Sequence, residues 1–253
     1  MEKLSVVIIT LNEAHNIARC IHSVKELADE VIVVDSGSTD GTQDIARSLG
    51  AQVVHRDFNG YGEQKHFANA QARNNWVLNP DADDHADARL RQSIRAALTD
   101  PKHGAYTMNS LTNYCGRYIR HCGWYPNRKM KLWDRRHGAM SLEKVHEGWH
   151  VNEGVSVGHL EGDLLHEGFP TVDSHFERII RYSEIGARSD IARGKKVSLL
   201  KLLFGPWWVF ITTYFLRGGF RDGYQGYLLS VNSAVATHVK YAKIRLYSKQ
   251  TKN

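Results

Sequence analysis

Three aspartates that follow a short apolar segment are the side chains in this sequence best suited to chemistry. Trp76–Leu78 is apolar, and Asp81, Asp83 and Asp84 fall within four consecutive residues shortly after it. Carboxylates this close repel one another unless they face solvent or a cation. At the end of a buried strand the expected partner is Mg²⁺ or Mn²⁺, which in turn holds a substrate phosphate. A solvated acidic turn that opens a helix is the alternative, because aspartate is favoured near helix N-termini.

Alternating apolar segments predict the elements that hold these aspartates. Four short apolar runs are typical of strands buried on both faces, namely Leu4–Thr10, 31–34, 51–54 and Trp76–Leu78. Helical patterns separate them, with apolar residues three or four apart from Ile17 and from Ile45, and a third pattern over residues 63–73. Strands and helices in alternation predict βαβ units and a parallel sheet.

Polar clusters stand at three of the predicted strand ends. Residues 10–13, 35–38 and 81–84 each follow an apolar run. In a parallel sheet the carboxyl ends of neighbouring strands meet at one edge, and ligands bind beyond that edge. The sequence therefore predicts one binding site assembled from these three clusters.

The same segments resemble a known enzyme family. SVVIITLNE, EVIVVDSGSTDGT and the lysine-bearing EQKHFANAQA leading into WVLNPDAD match, in order and spacing, the family 2 glycosyltransferases, which invert the anomeric centre and use the nucleotide-sugar-binding GT-A fold. Later segments resemble a subgroup that extends lipopolysaccharide core, including enzymes that add β-glucose to a heptose: NYCGRYIRHCGWYP, KLWDRR, VHE, GDLLHEGF and GFRDGYQGYLLS.

The resemblance implies an architecture and an activity. The fold would be α/β, a Rossmann-like and mostly parallel sheet with flanking helices, with a catalytic domain over 1–190 and a helical, membrane-associating extension over 191–253. The activity would be a metal-dependent hexosyltransferase that moves one sugar, glucose by subgroup, from a UDP-sugar to a lipid-linked or lipopolysaccharide-core acceptor. The Q-x-x-R-W motif of processive members is absent. A polyprenyl-phosphate sugar transferase of the same fold and a non-catalytic sugar-nucleotide-binding scaffold are the alternatives.

Roles for the donor site also follow from the resemblance. Asp83 is expected to ligate Mg²⁺ or Mn²⁺ directly. Asp81 is expected to contact ribose or a metal-bound water and is the second candidate ligand. Asp84 is either a helper or a helix-start residue. Asp35 is expected to accept a hydrogen bond from the uracil ring. The rest of the predicted nucleotide-sugar pocket is Thr10, Asn12, Glu13, Ser36 and Lys65.

The general base is harder to predict, because the acidic pair that often supplies it in the family is missing here. His146 and Glu147 occupy the corresponding region. We expect Glu147 to be the base and keep His146 as the alternative, since the unperturbed pKa of histidine suits the task.

Four further residues are candidates for binding the acceptor or the diphosphate. Trp124 and Tyr125 lie in a Gly-Trp-Tyr-Pro turn and are suited to stacking on a sugar face, although aromatic side chains also simply pack. Lys131 and Arg135 in KMKLWDRR are suited to clamping phosphates, although a solvated basic loop explains them equally well.

Charge distribution bears on partners. The net charge is +6, with the excess in residues 117–136 and 240–252. No RNA-binding motif accompanies it, and the aspartate cluster would repel a phosphate backbone, so we expect no nucleic-acid partner. Anionic headgroups and substrate phosphates explain the basic excess better. The three cysteines contain no C-x-x-C motif and are expected to be reduced, as in the cytoplasm.

An apolar segment near the C-terminus predicts membrane contact. Leu199–Leu216 is apolar and aromatic but contains Lys201 and Pro206, and the uncharged part after Lys201, Leu202–Leu216, has 15 residues, short of a span of roughly 20. Tryptophans and flanking basic residues favour a helix that lies in the membrane surface. No signal-peptide pattern is seen, so we expect a cytoplasmic enzyme, peripheral on the inner face of the cytoplasmic membrane. A buried C-terminal core helix is the alternative.

Overall fold

A computed structural model describes residues 1–140 and 149–250. In these residues the strands are β1 Leu4–Thr10, β2 Glu30–Asp35, β3 Gln52–His55, β4 Trp76–Leu78, β5 Asp84–Ala86, β6 Ala105–Tyr114, β7 Arg117–Tyr118, β8 Asn127–Asp134, β9 Gly138–Met140, β10 Trp149–Val151 and β11 Val157–Phe169. The α-helices are α1 Ile17–Val24, α2 Thr42–Ser48, α3 Tyr61–Gln71, α4 Ala88–Thr99, α5 Val172–Ala192, α6 Leu199–Ile211 and α7 Gly223–Gln250. A π-helical turn, Thr212–Leu216, extends α6, and 3₁₀ turns lie at Arg135–His137 and Gly219–Asp222.

The first four strands form the parallel half of the main sheet, as predicted. Their order is β3-β2-β1-β4, and each neighbouring pair in this run is parallel. Val6, Val7 and Ile8 in β1 are each fully buried. A strand covered on both faces needs apolar side chains at every position, which explains why β1 is a continuous apolar run rather than an alternating one.

The other half of the sheet contains antiparallel pairs that the helix–strand alternation did not predict. The order continues β8-β6-β11-β5, with β7 beside β6. β8 pairs antiparallel with β4 and with β6, and β5 pairs antiparallel with β11. The β5–β11 register sets His166 opposite Asp84. A distant strand thus brings a histidine to the aspartates.

Two apolar layers cover the sheet in the first of two compact units, which comprises Met1–Ser110 and Asn127–Glu167. On one face, Ile17 of α1 and Ile94 of α4 pack in the same cluster as Ile8 of β1. On the other face, Ala68 of α3 packs with Val7. Because successive side chains of a strand point to opposite faces, β1 contributes to both layers. This packing fixes the strand ends that carry the polar residues.

The second compact unit comprises Leu111–Pro126 and Gly168–Asn253. A buried polar group lies inside it: the Tyr114 hydroxyl is 3.0 Å from Asn232 Nδ2 and 3.1 Å from His175 Nδ1. Burial lowers the pKa of His175 to about 4, so the imidazole is neutral near pH 7. The domain boundary predicted at residue 190 falls inside α5 and stays a prediction.

Candidate active site

Asp81 lies between two lysines just beyond the end of β4. Its Oδ1 is 3.1 Å from Lys65 Nζ, and its Oδ2 is 2.8 Å from Lys131 Nζ. α3 supplies Lys65, and β8, which is hydrogen-bonded to β4, supplies Lys131. Burial alone would raise the pKa of Asp81, but the attraction of Lys131 and Lys65 holds it far below the usual range. Asp81 is therefore ionised, with both oxygens engaged.

Asp84 is fully buried and joins the same network. Its Oδ2 lies 3.4 Å from Lys131 Nζ and accepts a hydrogen bond from the Asp81 backbone N–H at 2.9 Å. Its Oδ1 lies 3.0 Å from His166 Nδ1. Burial opposes ionisation, but the attraction of Lys131 and the hydrogen bond to His166 lower the pKa of Asp84. A buried carboxylate with three polar partners belongs to a preorganised site rather than to a solvated turn.

Asp83 completes a group suited to a divalent cation. Its Oδ1 lies 3.4 Å from His166 Nδ1, and one ligand atom from each of Asp83, Asp84 and His166 lies within 4.8 Å of the others. Two carboxylates and an imidazole form a donor set that fits a divalent metal. Asp81 is not in this group, so its predicted role as a second ligand stays a prediction. His166 was missed at the sequence level, although it lies in the quoted segment GDLLHEGF.

Opposite charges stabilise this acidic cluster, which consists of Asp81, Asp83, Asp84 and His166. Burial would lower the pKa of His166, but its hydrogen bonds and attraction to Asp83 and Asp84 raise it to about 9. The imidazole is therefore cationic near pH 7. Three carboxylates then face three cations, since Lys65 and Lys131 supply the other two positive charges. His166 would have to lose this proton to ligate a metal.

The two other strand-end clusters converge, as predicted. The Asn12 backbone N–H donates to Ser38 Oγ at 2.8 Å, and Asn12 Oδ1 accepts from the Thr39 N–H at 2.9 Å. The Ser36 N–H donates to the Thr10 carbonyl at 3.0 Å. Thr10 Oγ1 is buried and has no hydrogen-bond partner among the described residues. An unpaired buried hydroxyl at this edge is available to a ligand.

Glu13 lies within electrostatic reach of the aspartates. Its carboxylate accepts a hydrogen bond from Asn16 Nδ2 at 2.8 Å, and its backbone N–H donates to Thr42 Oγ1 at 2.8 Å. Burial raises the pKa of Glu13, and the negative charge of Asp83 adds to the rise. Glu13 thus connects the first strand-end loop to the acidic cluster.

The Asp35 carboxylate accepts more hydrogen bonds from the protein than contact with a uracil base alone would require. It is fully buried, and its Oδ1 accepts from the N–H groups of Gly37 and Ser38, each at 2.9 Å, and from Gln43 Nε2 at 2.6 Å. Its Oδ2 accepts from the Ser38 hydroxyl. Asp35 therefore organises the loop after β2, and its predicted contact with uracil stays a prediction.

Asp35→Ala should weaken UDP binding by about 1.5–3 kcal/mol if a hydrogen bond between the carboxylate and uracil is lost. Calorimetric titration with UDP measures this. Asp44→Ala is the matched control, because Asp44 lies on the neighbouring helix α2 with an 87% exposed side chain. Because the structure also gives Asp35 a loop-ordering role, Gln43→Ala distinguishes the two causes: equal weakening by Gln43→Ala would assign the effect to loop order. Unchanged affinity in Asp35→Ala would refute the base pocket.

The remaining predicted residues divide into three groups. Arg135 donates to the carbonyls of Ala72 and Asn69 at 2.6 and 3.2 Å, and so binds the C-terminal end of α3. Trp124 packs 5.2 Å from the ring centroid of Phe169 in the second unit, where Tyr125 also lies. His146 and Glu147 lie outside the described residues. The acceptor and base assignments therefore stay predictions.

The family of the chain follows from comparison with known proteins. The model of Glycosyl transferase family 2 matches residues 5–161. The chain belongs to glycosyltransferase family 2. This confirms the GT-A fold expected from the sequence, and the matched region contains the whole acidic cluster apart from His166. The chain is therefore a transferase.

Two proteins named as glycosyltransferases match along almost the whole chain, and one solved structure matches over less than half of it. A Rickettsia prowazekii (strain Madrid E) protein named as an uncharacterized glycosyltransferase is 33% identical, over 100% of this chain and 90% of its own length. The lipopolysaccharide core biosynthesis glycosyltransferase LpsC of Rhizobium meliloti (strain 1021) is 33% identical, over 95% of this chain and 91% of its own length. Glucosyl-3-phosphoglycerate synthase from Mycobacterium tuberculosis, solved with Mn²⁺, UDP and phosphoglyceric acid, is 29% identical over 44% of each chain, with a TM-score of 0.38.

Proposed function

We propose that this family 2 enzyme is a metal-dependent, inverting, non-processive transferase that moves glucose from UDP-glucose to a lipid-linked or lipopolysaccharide-core acceptor. The observation that carries the proposal is the acidic cluster, in which ligand atoms of Asp83, Asp84 and His166 lie within 4.8 Å of one another. The name of the LpsC relative supports a lipopolysaccharide-core acceptor. The sequence motifs quoted above support UDP as the nucleotide.

Each part of the cluster has a role in this proposal. Asp83, Asp84 and His166 would hold Mg²⁺ or Mn²⁺, and the ion would neutralise charge that develops on the leaving diphosphate. Lys131 Nζ lies 2.8 Å from Asp81 Oδ2 and 3.4 Å from Asp84 Oδ2, and its positive charge keeps both carboxylates ionised. Lys65 is less deeply buried than Lys131 and can reach an incoming phosphate. Burial lowers the pKa of Lys65, and repulsion from Lys131 lowers it further. A bound anion would therefore stabilise the charged form of Lys65.

Donor hydrolysis tests the activity without knowledge of the acceptor. Purified protein is incubated with a panel of UDP- and GDP-sugars plus Mg²⁺ or Mn²⁺, and the slow release of free sugar is measured. We expect UDP-glucose to be hydrolysed fastest. Binding of UDP without hydrolysis of any donor would instead support a sugar-nucleotide-binding scaffold.

Glu147→Gln should lower transfer by about 10²–10⁴-fold with UDP affinity kept, because glutamine is nearly isosteric and cannot take a proton. Transfer to the acceptor is measured under single-turnover conditions. Glu153→Gln is the control, because it makes the same change at an exposed residue six positions later in the sequence. If Glu147→Gln is active and His146→Ala is not, the base is His146. Activity in both variants would favour a phosphate acceptor, as in polyprenyl-phosphate sugar transfer.

We also propose that the enzyme works at the cytoplasmic face of a membrane, through one exposed face of α6 and its π-helical extension. Trp207 and Trp208 in this face are 69% and 63% exposed. An exposed apolar helix face of this size is typical of an interaction surface. We call it the apolar face, and its exposed members are Leu199, Leu200, Leu203, Phe204, Trp207, Trp208, Ile211, Phe215 and Leu216.

The contacts of the opposite face favour a helix in the membrane plane over a spanning one. Leu199–Leu216 is long and apolar enough to cross a membrane by length and composition. However, α6 packs along α7, where a Cβ at Gly205 would lie 2.8 Å from the Tyr241 ring. α7 also carries Lys240 and Lys243, which pair with acids of α5 at 3.3 and 3.2 Å. A spanning α6 would draw these charges into hydrocarbon, which is costly.

Trp207→Ser with Trp208→Ser should abolish flotation of the purified protein with anionic liposomes. Burying each tryptophan contributes about 2 kcal/mol, and attraction of basic residues to anionic lipid adds to it. Binding of the wild type should also weaken as salt rises. Phe58→Ser, which changes an exposed aromatic residue of the first unit, serves as the control. A wild-type protein that never floats would refute the membrane proposal.

A further inference from the structure

A group of basic side chains surrounds the turn that joins the π-helical segment to α7. A Cβ placed on Gly218 would lie 3.3 Å from Arg221 Cδ and 3.4 Å from His121 Cδ2, so these two side chains flank one glycine. Arg117 NH2 lies 3.3 Å from the Arg221 carbonyl oxygen. The Arg217 guanidinium packs where a Cβ on Gly123 would be, 2.6 Å away. We call Arg117, His121, Arg217 and Arg221 the basic patch.

A buried carboxylate orients the histidine of the basic patch. Asp222 is 3% exposed, and its Oδ1 lies 3.0 Å from His121 Nδ1. Its Oδ2 accepts the His121 backbone N–H at 2.8 Å. A carboxylate that holds one ring nitrogen fixes the imidazole and directs the other nitrogen away from it. His121 Nε2 has no hydrogen-bond partner among the described residues, and the side chain is 31% exposed.

The arginines of the basic patch are not neutralised by the protein. Within residues 1–140 and 149–250, Arg117, Arg217 and Arg221 have no carboxylate at ion-pair distance, and the acid that contacts the patch, Asp222, is buried and already used by His121. Three guanidinium groups around one turn repel one another unless an anion joins them. The planar guanidinium matches phosphate oxygens with paired hydrogen bonds.

Apolar residues border the basic patch on the chain. Phe215 and Leu216 directly precede Arg217, and Phe220 directly precedes Arg221. These three side chains are 56%, 68% and 53% exposed. Phe215 and Leu216 also belong to the apolar face. The anion that fits this surface therefore carries hydrocarbon next to its charge.

We propose that the basic patch binds a phosphate group of an amphipathic acceptor, a phosphorylated glycolipid whose acyl part rests on the apolar face. This deepens the proposed function by naming the chemical class of the acceptor, and it rests on that function. Arg217 and Arg221 bind the phosphate. Asp222 is a positioning residue, because it orients the His121 imidazole.

Vesicles that differ only in the kind of negative charge test the proposal. The full chain is titrated with phosphatidylcholine vesicles that contain either phosphatidic acid or oleate at equal surface charge. We expect the wild type to prefer phosphatidic acid by about 10–100-fold, because a phosphate monoester offers three acceptor oxygens to the arginines and a carboxylate offers two. Arg217→Gln with Arg221→Gln should remove this preference and retain binding to oleate vesicles, because the tryptophans remain.

Arg188→Gln, compared with Arg217→Gln alone, is the matched control. Each removes one positive charge from the same unit, but Arg188 lies 5.7 Å from the ring of Tyr247, near the far end of α7. At 1.5 Å per residue that end is roughly 36 Å from Gly223. The control should keep the preference for phosphatidic acid.

The outcomes separate the sources of the phosphate and the two proposals. If millimolar inorganic phosphate competes with the phosphatidic acid vesicles, the basic patch binds a free phosphate group as well. If it does not compete, the basic patch binds phosphate only when the phosphate is attached to a lipid. Equal preference for phosphatidic acid in the double variant and the wild type would overturn the patch. Hydrolysis of UDP-glucose, measured on the same samples, reports separately on the proposed function.

Discussion

Asp83→Ala is expected to reduce sugar transfer by at least about 100-fold, because loss of one directed electrostatic contact to the reacting group has effects of about 10²–10³-fold. The fold should survive. The Asp83 side chain is 18% exposed, and its contact with His166 is long, at 3.4 Å. The Asp83 carbonyl, which accepts from the Glu167 N–H at 2.9 Å, is unchanged by the substitution.

Transfer is measured with saturating donor and Mg²⁺ or Mn²⁺, with circular dichroism as the check on folding. Asp57→Ala is the control, since that side chain is 92% exposed in the same unit. Chelation with excess EDTA should lower the activity of the wild type to the level of Asp83→Ala. Full wild-type activity in EDTA would contradict the metal role.

The parallel half of the fold could be predicted because each of its strands is recognisable alone. β1 and β2 are continuous apolar runs, and each is followed along the chain by a helix with clear spacing. Local pattern is sufficient when a strand is covered on both faces. The convergence of Asn12 and Ser38 followed from the rule that parallel strands end at one edge, and their 2.8 Å hydrogen bond agrees with it.

The contacts of His166 and Lys131 with the aspartates could not be predicted, because they depend on strand pairing. β5 has only three residues, Asp-His-Ala, with no run or alternation to identify it. His166 reaches Asp84 from 82 residues away because β11 pairs with β5 in one particular register. A shift of one residue would turn the histidine to the other face. A strand of three residues is too short for its pattern to indicate that register.

The position of Lys131 also depends on strand pairing, although the sequence did indicate this residue as a candidate. The sequence suggested a phosphate clamp, as for a side chain that faces the substrate. In the structure the side chain is only 6% exposed, and it lies between Asp81 and Asp84. The pairing of β8 with β4 places it there. Its first role is therefore electrostatic support of the acidic cluster.

Lys131→Met should destabilise the protein by about 3–5 kcal/mol, because removing one partner leaves buried charge uncompensated. Methionine fills most of the space of the lysine stem, so lost packing contributes little. Asp84, which is fully buried, would keep only His166 as a cationic partner within 4 Å among the described residues. For a chain of this size the loss corresponds to a fall of roughly 6–20 °C in Tm.

Lys129→Met is the matched control for this prediction. Lys129 lies two residues earlier on β8, is half-buried and has no carboxylate at ion-pair distance within the described part of the chain. Thermal denaturation of both variants, followed by tryptophan fluorescence, should show a large fall in Tm for Lys131→Met and little change for Lys129→Met. Since Lys131 offsets the mutual repulsion of Asp81 and Asp84, Lys131→Met with Asp84→Asn should recover part of the lost stability. Equal Tm values for Lys131→Met and Lys129→Met would mean that the acidic cluster is compensated without Lys131.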